Sequence, residues 1–402
     1  MKEELKKSLR TYGALLLLGV TGVPLGAAVG LIEALFCRLL LKVTAIRVAH
    51  LFWCLPFLAM AGLVIVAVNQ KFGGRGKGGM SLIFDVAYEE ETELPLRMIS
   101  TALTHLFGGS AGREGVAVQI GAVFSYFAGK KLPFKNAPGI FLVTGMAAGF
   151  AGMFGTPIAA VIFAVEVLAA GEMRYEALLP AFTASFSASA VASLLGIRKE
   201  NLAIHISESL TPFLLVRLIT LGIIFGITGG LFAWCLKHTK KYLGEKIKNP
   251  LVRVFSIGVI LSILFLLLYR GRYCGFGTNL VEAVFHGEKV YAYDWALKFI
   301  LTILTLSAGF QGGEVTPLFT IGATLGAVLG NLFGIPVELS AALGYAAVFG
   351  GGTNTLLAAI FIGGEIFGYD YLPYFFIVCT AAYVFNRNSS IYSRQKLTKY
   401  SC

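Results

Sequence analysis

The 22 residues GMAAGFAGMFGTPIAAVIFAVE (Gly145–Glu166) return 199 positions later as GYAAVFGGGTNTLLAAIFIGGE (Gly344–Glu365), with nine identities. Gly145, Ala147, Ala148, Phe150, Gly152, Thr156, Ala159, Ala160 and Glu166 coincide with Gly344, Ala346, Ala347, Phe349, Gly351, Thr355, Ala358, Ala359 and Glu365. Just upstream, at an offset of 201, Gly112, Ile120, Gly121, Ala122 and Gly129 match Gly313, Ile321, Gly322, Ala323 and Gly330. Two Gly/Ala-rich helices can match through composition alone, but composition does not account for the paired Phe, Thr and Glu. The chain reads as a tandem repeat, repeat 1 over about 11–200 and repeat 2 over about 209–402. Halves of this length joined through a basic loop near 237–253 are the sequence pattern of inverted-repeat transporters.

Both copies lie in long apolar stretches. Hydrophobic residues make up 56% of the 402-residue chain and charged residues 14%, against roughly 25% charged in soluble chains. That excludes a soluble enzyme, a disordered chain and a disulfide scaffold. A membrane-crossing helix needs about 20 apolar residues. Charge-free runs of that order span Thr11–Ile32, Val48–Gln70, Asn136–Val165, Ala177–Ile197, Leu218–Leu236, Val315–Val337 and Leu339–Gly364, with borderline runs Val254–Tyr269 and Tyr371–Asn386. The fold class is an all-α polytopic membrane protein, 1–402 forming a single transmembrane domain with no soluble regulatory domain. Gly155-Thr156-Pro157 and Phe349–Asn354 interrupt two runs, which predicts pairs of half-helices; such breaks persist at membrane depth only inside protein or along a cavity.

The charges that remain set the orientation. Lys2, Lys6, Lys7 and Arg10, then Arg75 and Lys77, then Lys237–Arg253, then Arg387, Arg394, Lys396 and Lys399 form basic clusters, which places both termini and the mid-chain segment on the cytoplasmic side. The run from Thr11 exceeds a signal-peptide core and predicts a retained first helix. The net charge of +11 is spread too thinly for a nucleic-acid surface. Six cysteines without a CxxC pair read as small buried residues, and no cofactor or metal is expected.

Other engines are absent. Gly73–Gly78 fails as a nucleotide-binding loop because Lys77 precedes Gly78 instead of Ser or Thr, so no nucleotide partner is expected. No HExxH occurs, and Gly108-Gly109-Ser110-Ala111-Gly112 spells GxSxG without a preceding strand, so it reads as helix-break glycine and the chain as no enzyme. In a repeat transporter the substrate sits where half-helix ends converge, and an anion suits their N-termini. Three breaks can open such helices: Gly78-Gly79-Met80-Ser81, Gly112-Arg113-Glu114-Gly115 and Gly312–Pro317. The second and third are repeat-related, so an anion held between them would lie on the pseudo-twofold axis.

The stretch Gly112-Arg113-Glu114-Gly115 with Val118-Gln119-Ile120-Gly121 resembles the GREGPxxQIG motif of the CLC family of chloride channels and anion/proton antiporters. Gly312–Pro317 resembles that family's GGxFxP motif, Gly79–Ile83 its GSGIP motif, and Tyr392 its anion-coordinating tyrosine. The resemblance implies many tilted, broken helices in two inverted repeats, a homodimer in the bilayer and one anion pathway per subunit. It also implies Glu114 as the gating glutamate and Gly79, Met80, Gly115, Val116, Val315, Thr316 and Tyr392 as anion-site residues. The departures are similar to the fluoride-specific branch, the bacterial fluoride/proton antiporters: Val116 for Pro, Met80 for Ser, Glu314 and Thr316 in the third motif, and Val167 where many chloride/proton exchangers carry a second carboxylate.

The expected function is export of fluoride driven by inward protons in a bacterial inner membrane. A chloride/proton exchanger and a passive anion channel are the alternatives. Residue by residue, two readings stand beside each other. Glu114 is either a gate or a dipole-stabilising first-turn Glu. Glu314 is either a proton-coupling group or a buried carboxylate paired with an Arg or backbone. Thr316 is either an anion donor or a cap, Met80 either a site residue or gap-filling packing, and Tyr392 either a ligand or an interfacial anchor.

Overall fold

A computed structural model describes residues 2–72, 97–133, 136–197 and 210–397, with Ile83, Leu202 and Ile204. The described residues are helical almost throughout. In order they form α1 (Lys2–Ala49), α2 (Leu58–Phe72), α3 (Arg97–Leu106), α4 (Glu114–Gly129), α5 (Ala137–Phe154), α6 (Pro157–Glu166), α7 (Leu178–Leu194) and α8 (Pro212–Lys246). There follow α9 (Pro250–Leu267), α10 (Thr278–Phe285), α11 (Asp294–Ala308), α12 (Val315–Phe333), α13 (Val337–Thr353), α14 (Leu357–Phe367) and α15 (Leu372–Phe385). Among the described residues, seven helical stretches are long and apolar enough to cross a membrane. The protein is a multi-pass membrane protein.

The broken runs divide as the sequence expects. Asn136–Val165 splits into α5 and α6, Leu339–Gly364 into α13 and α14. In both, the residue closing the first half-helix is left-handed: Gly155 at φ 67° and Asn354 at φ 56°. These are repeat equivalents, and Gly and Asn are the residues that reach this conformation at least cost. One expectation is corrected here. Gly350–Gly352 do not break the helix but form the end of α13, where the missing side chains admit neighbours. A Cβ on Gly350 would meet Ala359, and one on Gly352 the Leu318 side chain.

The basic segment 237–253 is also corrected. Lys237, Lys240, Lys241 and Lys246 continue α8, and only Ile247–Asn249 separates it from α9. The residues are strong helix formers without Pro, Lys241 and Glu245 pair at 3.9 Å one turn apart, and cations at a helix C-terminus are favoured by its dipole. Asn249 caps α9, its side chain accepting from Leu251 N at 2.9 Å, with Pro250 in the first turn. Helices α3, α10 and α11 were not among the expected spans.

The residues pack as two units. The first takes in 1–37 and 117–200, the second 38–116 and 201–397, so part of repeat 1 packs with repeat 2. Inside the first unit, Gly22, Gly26 and Gly30 of α1 lie against Pro180, Ala184 and Ala188 of α7, where an added Cβ would strike a backbone carbonyl. Thr183 Oγ1 donates to Gly19 O at 2.6 Å and Ser187 Oγ to Val23 O at 2.9 Å along the same seam. Inside the second, Gly222, Gly226 and Gly230 of α8 meet Val378, Ala382 and Asn386 in the same way. This small-xxx-small packing lets backbones approach where no hydrophobic force drives helices together. It occurs twice, the glycines 200 positions apart. Likewise Gly121 fits against Gly145 in the first unit, and their equivalents Gly322 and Gly344 fit together in the second.

The second unit holds its site over an apolar cluster. Leu58 and Ile65 of α2, Val254 and Leu261 of α9 and Leu301 of α11 enclose Tyr273 and Cys274, at the start of the loop that leads into α10.

Candidate functional site

Between α3 and α4 the chain runs extended through Gly108–Arg113. Ser110 bridges in parallel to Gly275, with Ala111 N donating to Gly275 O at 3.3 Å and Gly275 N to Gly109 O at 3.1 Å. Two residues on, Gly112 pairs antiparallel with Gly313, its own repeat equivalent. Gly112 N donates to Gly313 O at 2.7 Å and Gly313 N to Gly112 O at 2.8 Å. A residue exchanging both backbone hydrogen bonds with its equivalent marks a local twofold axis, as inverted repeats require.

Glu114 opens α4 beside this pair and is 2% exposed. Its carboxylate accepts three hydrogen bonds: from Val315 N at 2.5 Å on Oε1, and from Thr316 Oγ1 at 2.6 Å and Arg113 N at 2.8 Å on Oε2. Val315 and Thr316 are the first residues of α12, so a side chain from the other repeat caps that helix. Glu314, the residue in the capping position, makes no such bond itself. The carboxylate thus occupies the seat that an anion drawn to this helix start would take. The glycines make room for it: a Cβ on Gly112 would lie 2.8 Å, and on Gly313 2.6 Å, from the Glu114 carboxyl carbon. Charge-assisted bonds of this length are roughly twice as strong as neutral ones.

Glu314 points elsewhere. Its side chain keeps 19% exposure and faces Lys240 Nζ of α8 at 3.6 Å. The partner left open by the sequence is therefore a lysine in the helical basic segment. Thr316 spends its hydroxyl on Glu114 and does not cap α12. Val315 and Val116 are buried, at 3% and 5% exposure, and a Cβ on Gly115 would stand 3.6 Å from Gly313 Cα.

Tyr392 lies 7% exposed in the segment after α15. That segment is tied to the carbonyl end of α13, where Ile391 N donates to Gly352 O at 2.9 Å and Gln395 Nε2 to Thr353 O at 3.1 Å, serving groups a helix end leaves unpaired. Tyr392 lines a cavity of about 180 Å³ with Lys237, His238, Ser390 and Gln395, and it is close enough to Glu314 and Glu114 to feel both charges. Gly115, Val116, Glu114, Glu314, Val315, Thr316 and Tyr392 thus belong to one region, while Gly79 and Met80 lie outside the described residues. Val167 is wholly buried at the end of α6.

Several participants went unread in the sequence. Arg113 places its guanidinium 5.0 Å from the centre of the Phe276 ring. His105 lies against the same ring at 4.2 Å and its Nε2 donates to Gly112 O at 3.2 Å. Arg47 Nη1 donates to His105 O at 2.9 Å. Lys298 of α11 is fully buried beside Ser110. A lone charge inside an apolar run, as Lys298 is within 295–310, was the available signal. Ser110 itself bonds Thr302 Oγ1 at 2.9 Å and Lys298 Nζ at 2.9 Å, so the GxSxG stretch holds the break in place, as its glycine reading expects.

A multi-pass helical fold whose half-helices meet around a buried carboxylate at a helix start defines a membrane ion-transport protein. The voltage gated chloride channel family model matches residues 87–387, and the chain belongs to that family. It is 48% identical to a chain in the crystal structure of a CLC-type fluoride/proton antiporter, with a TM-score of 0.93 over 96% of this chain and 99% of that one. It is 33% identical to a chloride/fluoride channel protein of Pseudomonas syringae pv. tomato, over 95% of this chain and 86% of that protein. The fold extends to a slow cyanobacterial Cl⁻/H⁺ antiporter at 20% identity and a TM-score of 0.78, over 92% of this chain and 94% of that one.

Proposed function

We propose that the protein is a fluoride/proton antiporter that exports fluoride from the cytoplasm against inward proton flow, with Glu114 as its gate. The observation that carries this is the Glu114 carboxylate seated on Val315 N, Thr316 Oγ1 and Arg113 N. A protonatable group holding an anion's donors couples two ions. Ionised, it fills the seat; protonated, it loses most of its attraction to those donors and leaves them to the anion. Fluoride is small and tightly hydrated, so it needs close donors in exchange for water, and a hydroxyl and an N–H at 2.5–2.6 Å are such donors. The likeness to a fluoride/proton antiporter at 48% identity supports the same reading.

Glu314, held by Lys240, is the second proton-coupling group in place of the carboxylate missing at Val167. Gly79, Met80, Gly115, Val116 and Tyr392 complete the anion path. The assembly is a homodimer with one pathway per subunit in a bacterial inner membrane, and the basic termini and α8 end favour a cytoplasmic position for both tails. The repeats over about 11–200 and 209–402 supply the two halves of each pathway. The ion gradients drive the cycle, with no nucleotide, nucleic acid or cofactor and no enzymatic step.

The test is flux from proteoliposomes loaded with fluoride or chloride, with both anion and pH recorded. Fluoride efflux coupled to opposite proton flow, lost in Glu114→Gln, is the expected result. Fluoride flow without proton flow makes the protein a passive channel, and a preference for chloride makes it a chloride/proton exchanger.

A further inference from the structure

We propose that the cavity shared by α8 and the segment after α15 is a binding site for a tetrahedral oxyanion of the inorganic phosphate class, which blocks fluoride passage when it is filled. The binding stands on the cavity itself, and the block rests on the antiporter reading. The space measures about 180 Å³, room for about six waters. Helix α8 contributes Lys237 and His238 to its lining, and the segment after α15 contributes Asn388, Ser389, Tyr392 and Ser393. No Asp or Glu is among the lining residues.

The two basic side chains are available to a ligand. The neighbouring lysines are paired, Lys240 with Glu314 and Lys241 with Glu245; among the described residues Lys237 is not. His238 stacks on Trp234 at 4.1 Å between ring centres, and its Nδ1 donates to Trp234 O at 2.8 Å. Nε2 is therefore the nitrogen left for a ligand. Neutral, it accepts from a phosphate hydroxyl; charged, it donates to a phosphate oxygen. Fluoride offers only the second.

The facing segment is held in a costly conformation. Arg387 and Asn388 take left-handed backbone in succession, at φ 60° and 51°; Asn reaches that region readily and Arg does not. Asn386, 1% exposed, fixes the turn. Its Oδ1 accepts from Asn388 N at 2.9 Å, and its Nδ2 donates to Asn354 Oδ1 at 2.8 Å. Backbone strain persists where the surroundings over-determine it, ligand clamps among them, and here it sets Asn388 and Ser389 on the cavity. Ser390 and Gln395 are committed elsewhere, both donating to Thr353 O.

A bare fluoride does not suit this space. A small ion needs donors close on every side in exchange for its water, as at the Glu114 seat, whereas the four oxygens of a phosphate reach several walls at once. An oxyanion beside Tyr392 puts bulk and negative charge on the anion path, and both oppose the next fluoride. The orientation proposed above puts this end of α8 on the cytoplasmic side, from which fluoride leaves.

The test uses the purified full-length protein. Calorimetry with inorganic phosphate at constant ionic strength should show saturable binding, about tenfold weaker in Lys237→Gln and retained in Lys237→Arg. Asn388→Gly keeps the left-handed turn and removes the amide, and should weaken binding about threefold. In fluoride-loaded liposomes with phosphate on both faces, at about ten times its dissociation constant, efflux should fall about tenfold in the parent and about twofold in Lys237→Gln. Each fall is read against the same variant without phosphate, so a change in its own rate does not enter. Absence of saturable binding overturns the proposal, as does equal binding by the parent and Lys237→Gln. So does displacement of phosphate by an equal concentration of chloride, or binding that leaves efflux unaltered. Should Lys237→Gln fail to fold, Asn388→Gly decides alone. If the parent shows no coupled flux, the antiporter reading fails, and the phosphate titrations of the variants then uphold or remove the site by themselves.

Discussion

The starts of α4 and α12 are built on equivalent residues and do different things. Each follows a glycine, Gly112 or Gly313, and the two glycines bond each other; each then offers a glutamate, Glu114 or Glu314. Glu114 turns into the twofold centre and takes the donors of α12, whereas Glu314 turns to Lys240 and keeps partial exposure. Two carboxylates at one centre would repel and one would be forced neutral. A repeated backbone thus yields one carboxylate that caps the opposite helix and one that does not, because the second glutamate has a cation on α8 to pull it aside.

The sharpest way to break this contrast is to remove each carboxylate in turn. Glu114→Gln should lower proton-coupled fluoride flux on the order of 100-fold, and Glu314→Gln about tenfold; equal losses in a proteoliposome assay would erase the distinction. Next comes Thr316→Val, which takes away a hydrogen bond to a charged group worth about 1.5–3 kcal/mol. The apparent fluoride affinity should fall by roughly 10- to 100-fold, read from the concentration dependence of efflux. Gly313→Ala pushes the Glu114 carboxylate off Val315 N, and fluoride should then move with about tenfold fewer protons per ion; unchanged coupling would show that the seat tolerates displacement. Smallest is Lys240→Gln. The pair is half-exposed, so about 0–1 kcal/mol is at stake, and flux should drop two- to fivefold with the loss shrinking at high salt.

The fold was legible wherever the repeat was. The Gly155-Thr156-Pro157 break located α5–α6 and the Phe349–Asn354 stretch marked the division of α13 from α14, and the equivalence of Gly112 with Gly313 brought together the two helix starts that Glu114 joins. Helix α11 does not read as a charge-free run because Asp294 and Lys298 fall within it. Lys240 could not be read as the partner of Glu314 because 74 positions separate them and a surface-facing helical lysine carries no local sign of its target. Gly350–Gly352 misled because glycine serves close packing as well as breaks, and only neighbours decide between them.

The span between Glu114 and its donors also has a consequence for biosynthesis. Val315 and Thr316 lie some 200 positions downstream, so at about 5–20 residues per second they emerge roughly 10–40 s after Glu114. For that interval a nascent chain holds Arg113 and Glu114 in or near the bilayer without the helix start that later receives the carboxylate. Charged groups are poorly tolerated there, so the half-made protein depends on the insertion machinery or on lipid headgroups to shelter them until residue 315 is made.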